Sequence, residues 1–239
     1  MEKDFYKEVL GTINAGSVLD VGCREGYFIG IMLESFQSVS SISAIDISDK
    51  GYIKAKDFFE KNHVDFKVMD GSNMEFKENA FDTVSISNSI HHLTDVMAVL
   101  SEMKRVMKGD GFFILNEMIC DTNDVSRKKD VSIHHWFART DTLMGNFHRM
   151  TYTSSELFGY VNSLGFGKIN VRYFLDNQYS DVQTNEKLIA SIEKRLLQPG
   201  WDDEVLTQGK GLINMLKKGG FKQAPVMTII AREKDEKNG

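Results

Sequence analysis

A chain of 239 residues is long enough to bury one substantial core, and its 41% hydrophobic and 26% charged residues, with only 2 prolines and 19 glycines, exclude collagenous and low-complexity classes. Lysine plus arginine number 29 against 34 aspartates and glutamates, a net charge of −5 that is the wrong sign for tracking a phosphate backbone, so no nucleic acid partner is expected. Met1-Glu2-Lys3-Asp4-Phe5 lacks an apolar signal core, no stretch of about 18 apolar residues offers a membrane span, and Cys23 and Cys120 form no CxxC pair; a cytoplasmic chain with reduced thiols and no membrane partner is expected.

Tyr6 falls in an N-terminal helix whose Phe5, Val9 and Leu10 provide a packing face. Short β-branched runs then alternate with helical patterns, the order of a parallel sheet with helices on both faces. The predicted strands are Val18–Val21, Ser41–Ile47, Phe66–Met69, Thr83–Ser87 and Phe112–Asn116, and the helices between them are Gly26–Phe36, Asp49–Lys61 and Asp95–Met107. In the last of these Val96, Val99, Leu100, Met103 and Val106 make one apolar stripe, after which Gly109-Asp110-Gly111 reads as a turn into the fifth strand. Residues 121–150 break the rhythm as an insertion, with the charge run Arg127-Lys128-Lys129-Asp130 read as a solvated turn. Thr153-Ser154-Ser155-Glu156 is a capping-box pattern opening a helix over Ser154–Leu164, closed by Gly165, and Ile169–Leu175 follows as a strand. A second insertion, 176–223, holds helical patterns over Asn185–Leu197 and Asp203–Lys217, whose Leu188, Ile189, Ile192, Leu196 and Leu197 are expected to pack against the domain or a partner chain rather than touch substrate. Val226–Ala231 is the seventh strand, and the charged tail Glu233–Gly239 is not expected to pack.

The most informative stretch is Val18-Leu19-Asp20-Val21-Gly22-Cys23-Arg24-Glu25-Gly26, where an apolar strand runs into a glycine-bearing turn and then a helix. There the backbone can approach a ligand with no Cβ in the way, and free N–H groups at the helix start face it. Asp46 ends the second strand 20 residues after Gly26, a spacing at which an acidic side chain in such a fold accepts from ribose hydroxyls. Both features belong to nucleoside-containing ligands. The dinucleotide pattern G-x-G-x-x-G is not met, because Cys23, Arg24 and Glu25 separate Gly22 from Gly26.

On these residues the chain resembles the class I S-adenosylmethionine-dependent methyltransferases, whose first motif reads Asp/Glu-x-Gly-x-Gly-x-Gly; Asp20, Gly22, Cys23 and Gly26 match it, and Arg24 stands at the middle glycine. Ala44-Ile45-Asp46-Ile47-Ser48, Val68-Met69-Asp70-Gly71, Phe81 through Leu93 with its Ser87-Asn88-Ser89-Ile90-His91-His92, and Lys108-Gly109-Asp110-Gly111 follow in the family's order. The resemblance implies a Rossmann-like, seven-stranded, mostly parallel sheet with an antiparallel last strand, helices on both faces and helical insertions after strands five and six. It implies one domain over 1–239: a cofactor-binding half at 17–120, an insertion or lid at 121–150, closing elements at 151–175 and 224–233, and the helical insertion 176–223. By the same resemblance the cofactor is S-adenosylmethionine, leaving as S-adenosylhomocysteine. Asp46, with Ile47 beside it, would hold the ribose, Asp70 and Gly71 would flank the adenine, and Asp20, Gly22, Cys23, Gly26 and Asn88 would complete the binding surface.

The reaction implied is methyl transfer to a small-molecule acceptor. A base is optional when donor and acceptor are held in attack geometry, and His91, His135 and His148 are the candidates should a proton have to leave. Cys23 reads as a small side chain under the ligand rather than a nucleophile, and adjacent His91 and His92 diverge in any regular element, so no metal site is expected. The aromatics and cations of 134–149 read either as a lid over an acceptor pocket or as an amphipathic helix, and the choice stays open. The alternatives are a nicotinamide-dependent Rossmann oxidoreductase and a catalytically inactive nucleoside-binding protein, the latter motivated by Arg24.

Overall fold

A computed structural model describes residues 2–233; the tail from 234 onward lies outside the described residues. All seven expected strands are present: β1 Ser17–Val21, β2 Ser41–Asp46, β3 Val64–Val68, β4 Phe81–Ser87, β5 Met107–Met118, β6 Lys168–Phe174 and β7 Val226–Arg232. They form one sheet in the order β3-β2-β1-β4-β5-β7-β6, with β1 to β5 pairing in parallel and β7 antiparallel to its neighbours. The order reverses between β1 and β4, and at such a switch point an open α/β sheet leaves a crevice beyond the carboxyl ends of its strands.

The described residues divide into two compact units. The first comprises 2–117, 154–174 and 226–233; the second comprises 118–153 and 175–225, so that the two insertions, separate in sequence, share one unit.

In the first unit the alternation along β1 sends successive side chains to opposite faces. Val18, with Ile42, Ala44, Ile114 and Ile230, packs under α1 (Glu2–Leu10) and α2 (Tyr27–Ser35), which contribute Tyr6, Leu10, Phe28, Ile29 and Met32. On the other face Val99 of α5 (Val96–Val106) approaches Val21 where Gly71 leaves room, and Phe113 meets Phe166, which follows α7 (Ser154–Ser163), at a ring distance of 5.1 Å. Helices thus cover both faces; burial on both sides accounts for the apolar run Phe112–Leu115 of β5, while β4, also buried on both sides, carries Thr83 and Ser85 among its apolar residues.

Two expectations in this unit are corrected. Gly109-Asp110-Gly111 is not a turn preceding β5: the strand already begins at Met107, and its register jumps from Phe81↔Met107 to Thr83↔Phe112, so 108–111 bulge within extended chain. The single helix over Asp49–Lys61 is two, α3 (Lys50–Lys54) and α4 (Lys56–Lys61), broken at Ala55 with φ −116°. Gly51 of the first piece lies against the main chain of Arg24, and the rings of Tyr52 in the first piece and buried Phe59 in the second pack on each other and on Phe66 of β3.

The second unit is built on α6 (Val125–Leu143), α8 (Val182–Leu196) and α9 (Asp203–Lys218), each opened by an aspartate whose carboxylate accepts a backbone N–H of the first turn. Ile133 and Trp136 of α6, Ile192 of α8, and Val205, Leu212, Ile213 and Leu216 of α9 form its core, and Trp136 Nε1 donates to the Val205 carbonyl at 3.1 Å. The charge run at 127–130 is therefore not a solvated turn. Arg127 is buried, its guanidinium donating to the Gln223 carbonyl and to Asn177 Oδ1, while Asp130 accepts from the Ala224 N–H. These side chains satisfy backbone groups of the returning loop that no strand partners. Leu188, Ile189, Ile192 and Leu196 pack within this unit; Leu197 lies 83% exposed just past the end of α8.

Candidate functional site

The carboxyl ends of β1 to β4 bring together the residues singled out in the sequence around the switch point. After β1 the chain turns on Gly22 (φ 70°), whose N–H, like that of Cys23, donates to the Ile45 carbonyl of β2. Ser89, just past β4, donates from Oγ to the Gly22 carbonyl at 2.8 Å, and a Cβ on residue 22 would stand 2.8 Å from that hydroxyl. Gly22 is needed both for its left-handed backbone and for the closeness of the two loops.

Arg24, at the place of the family's middle glycine, keeps the glycine-like conformation at φ 46°. Its side chain is 66% exposed and turned to solvent, with a 3.9 Å ion pair to Glu25. Its N–H does the structural work, donating to Asp46 Oδ2 at 3.0 Å, while Ser48 N–H donates to Asp46 Oδ1 at 3.1 Å. Two backbone donors therefore orient the Asp46 carboxylate at the end of β2, and each of its oxygens retains a second lone pair. Ile47 beside it is 71% exposed. Asp70, beyond β3, accepts from the N–H and the hydroxyl of Ser72, bonds that hold its carboxyl below the usual carboxylate range. Asn88, beyond β4, is left-handed at φ 45° and its N–H donates to the Asn116 carbonyl at 2.9 Å.

Asp20 is fully enclosed. Burial pushes its carboxyl up to about 7, against the 2.6 Å bond from Ser85 Oγ, and the charge of Asp46 adds to the rise. Burial also pushes the Cys23 thiol up, which opposes thiolate formation and leaves this residue a small buried side chain. Tyr6 is buried too, its hydroxyl donating to Asn116 Oδ1.

The three candidate bases sit on different elements, and the rings of adjacent His91 and His92, expected to diverge, lie only 4.4 Å apart because the 3-10 turn carries both. His91 lies in the 3-10 turn Ile90–His92 after β4, its Nδ1 2.8 Å from Glu117 Oε1, with 5% and 1% of the two side chains exposed. In the second unit, His135 Nε2 is 2.8 Å from Thr151 Oγ1 and burial lowers the pKa of its ring. His148 Nδ1 is 2.8 Å from Asp141 Oδ2 there, and its Nε2 is 3.3 Å from His134 Nε2. Sequence reasoning missed Ser85, Ser89, Asn116 and Glu117. The available signal was the Asn-Glu pair closing the apolar run of β5; Ser85, in a strand that also holds Asp82, Thr83 and Ser87, gave none.

A doubly wound parallel sheet with an antiparallel end pair, and a glycine turn facing an acidic strand end across its switch point, are features of the class I methyltransferase fold. Comparison with known proteins agrees. Residues 19–115 match the family model described as a methyltransferase domain. The chain is 27% identical over 189 residues to the ubiquinone/menaquinone biosynthesis C-methyltransferase UbiE of Geobacter sp. strain M21, covering 71% of this chain and 77% of that one. It is 28% identical over 109 residues to the tRNA U34 carboxymethyltransferase of Nautilia profundicola, a match spanning 45% of this chain and 36% of the relative. Among solved structures, phosphoethanolamine N-methyltransferase 2 of Haemonchus contortus, in complex with S-adenosyl-L-methionine, superposes with a TM-score of 0.59 at 15% identity, over 98% of this chain and 52% of that one, a likeness of fold. Among the described residues no helix is long and apolar enough to cross a membrane.

Proposed function

We propose that this chain transfers the methyl group of S-adenosylmethionine to a nucleophilic atom of a small-molecule acceptor. The observation that carries this reading is the carboxylate of Asp46, fixed at the switch-point edge by the N–H groups of Arg24 and Ser48 with one lone pair on each oxygen still to give. A ribose with two adjacent hydroxyls suits that geometry. Ile47, apolar and exposed next to it, suits an adenine face, and the Asp70 carboxylate suits the exocyclic amine. The turn at Gly22, with Cys23, Gly26, Gly71, Asn88 and the buried Asp20, would line the rest of the ligand. The donor set therefore fits the cofactor.

When bound, the cofactor supplies a methyl group already activated on a sulfonium. The chain's share is to hold it, align the acceptor and exclude water, and alignment of this kind can lower a barrier by roughly 7 to 11 kcal/mol. A small acceptor is favoured over nucleic acid by the net charge of −5, since a polyanion would be repelled.

Calorimetry with S-adenosylmethionine and with NADH tests the reading. Binding of the first and not the second is expected, and the reverse would make the chain an oxidoreductase. Asp46→Ala should weaken S-adenosylmethionine binding more than tenfold, because charge-assisted hydrogen bonds contribute roughly 1.5 to 3 kcal/mol each. Unchanged affinity would remove the ribose from Asp46. Release of S-adenosylhomocysteine from fractionated metabolite pools would identify the acceptor.

A further inference from the structure

Asp20 lies two residues before the Gly22 turn, 2% exposed, and the Ser85 hydroxyl serves it. Ser85 Oγ is 2.6 Å from Asp20 Oδ1 and 3.3 Å from the Leu19 carbonyl oxygen, yet a hydroxyl carries a single hydrogen. Two arrangements therefore satisfy the same atoms. With Asp20 ionised, the serine donates to the carboxylate. With Asp20 protonated, the carboxyl donates to Oγ and the serine turns its hydrogen to the Leu19 carbonyl. Only a hydroxyl rotates between the two, so this acid can give up a proton with no heavy atom moving.

The surroundings decide which arrangement holds. Alternation along β1 puts Asp20 on the same face as Val18, the face that packs under α1 and α2. There α1 brings Tyr6, whose phenol donates to Asn116 and is kept protonated by burial, and α2 brings the apolar Phe28 and Ile29. From β2 comes the charge of Asp46, from the turn the Cys23 thiol, while Arg24 turns its guanidinium outward to Glu25. None of these residues turns a cation to Asp20, and burial together with the Asp46 charge holds its carboxyl at about 7.

We propose that Asp20 is a proton-linked counter-ion for the cofactor: protonated in the free protein, it ionises when S-adenosylmethionine brings positive charge to the Gly22 turn. The inference rests on the methyl-transfer reading and deepens it by making cofactor affinity depend on pH through one named acid. The step balances: the carboxyl O–H bond breaks, its electron pair stays on oxygen, the proton passes to the buffer, and Ser85 swings its hydrogen from the Leu19 carbonyl to the new carboxylate. A sulfonium carries its charge at every pH, and in a low-dielectric interior a charge acts on a carboxyl it does not touch. By linkage, a ligand that favours the ionised acid binds more tightly once that acid has ionised.

The test is calorimetry of the full chain with S-adenosylmethionine, run at each pH in two buffers of different ionisation enthalpy, which counts the protons released on binding. The cofactor's own α-amino group stays protonated between pH 5.5 and 6.5. At pH 6 more than about half a proton per cofactor is expected, with affinity rising about fivefold or more from pH 5.5 to 6.5. Asp20→Asn, which keeps an oxygen for the Ser85 hydroxyl, should release none and bind with the same affinity across that range. Ser85→Ala removes the donor that favours the ionised form, so the rise in affinity should move to higher pH; it decides the matter where Asp20→Asn does not bind. An acid with a merely structural role would leave the wild-type affinity flat. Binding without proton release, release that survives in Asp20→Asn, or a rise that Ser85→Ala leaves in place would overturn this inference alone. No binding at any pH would remove the cofactor reading and the linkage with it, so the two failures are distinguishable.

Discussion

Gly51 lies against the main chain of Arg24 so closely that a Cβ at residue 51 would stand 2.4 Å from the Arg24 carbonyl carbon. The contact joins the first turn of α3 to the turn after β1, the same turn whose N–H orients Asp46. The carboxylate is thus fixed by a three-part arrangement in which the chain before it, the chain after it and a glycine all have to coincide.

Gly51→Ala is expected to destabilise the protein by more than about 2 kcal/mol, since the obstacle is backbone and cannot swing aside as a side-chain tip does. Gly109→Ala is the control, as a Cβ there meets nothing within 4 Å, and it should stay within about 0.5 kcal/mol of wild type. Urea denaturation of both variants measures the difference; equal midpoints would show that α3 moves freely against the Arg24 turn.

Arg24→Gly is expected to stabilise. An L-residue in the left-handed region costs roughly 1 to 2 kcal/mol, and glycine returns about 0.5 to 1 of that through its greater unfolded-state entropy, leaving a gain near 0.5 to 1 kcal/mol. The exposed Arg24–Glu25 pair at 3.9 Å adds little to offset this. A lower urea midpoint in Arg24→Gly would mean that the guanidinium itself holds the loop.

The sheet was legible because its strands are apolar runs bounded by turn residues, and all seven appear within a few residues of where the pattern puts them. The strand-end acids Asp20, Asp46 and Asp70 were legible for the same reason. What periodicity could not reveal was the use of polar side chains to satisfy distant backbone. Arg127 looks like solvent-facing charge until Gln223, 96 residues away, presents its carbonyl. Ala55 has no breaker chemistry, and the break between α3 and α4 there carries no signal in the apolar pattern. Glu117 reads as the polar end of a strand until the fold brings Ile90 and His91 to it.

Asp20 makes stability depend on pH with a definite sign. Its folded-state value of about 7 lies above the ordinary 3.8, so between those values the folded chain holds a proton that the unfolded chain has released. Stability from this group is therefore present below about pH 4, falls as pH rises toward 7, and is lost above it. Asp20→Asn keeps an oxygen for the Ser85 hydroxyl and removes the charge. The variant should exceed wild type by at least about 2 kcal/mol at pH 8 and converge with it near pH 4, as read from urea midpoints across the range. A constant difference across that range would show that Asp20 is ionised throughout in the folded chain.

Asn116 joins three elements through one buried amide: its Oδ1 accepts from Tyr6 of α1 at 2.9 Å and from Thr228 of β7 at 2.7 Å, and its Nδ2 donates to Ser87 at the end of β4. Removing one donor and removing the shared acceptor have unequal consequences. Tyr6→Phe leaves Oδ1 still bonded to Thr228 and should cost about 1 kcal/mol. Asn116→Ala strands two hydroxyls that are almost wholly inaccessible to water and should cost roughly 3 kcal/mol or more. The double variant should lose less than the sum, because once Asn116 is gone the Tyr6 hydroxyl is a liability whose removal helps. Urea unfolding of the four proteins of the cycle measures the coupling; strict additivity would mean that the hydroxyls find other partners and that α1 is held to the sheet by apolar packing alone.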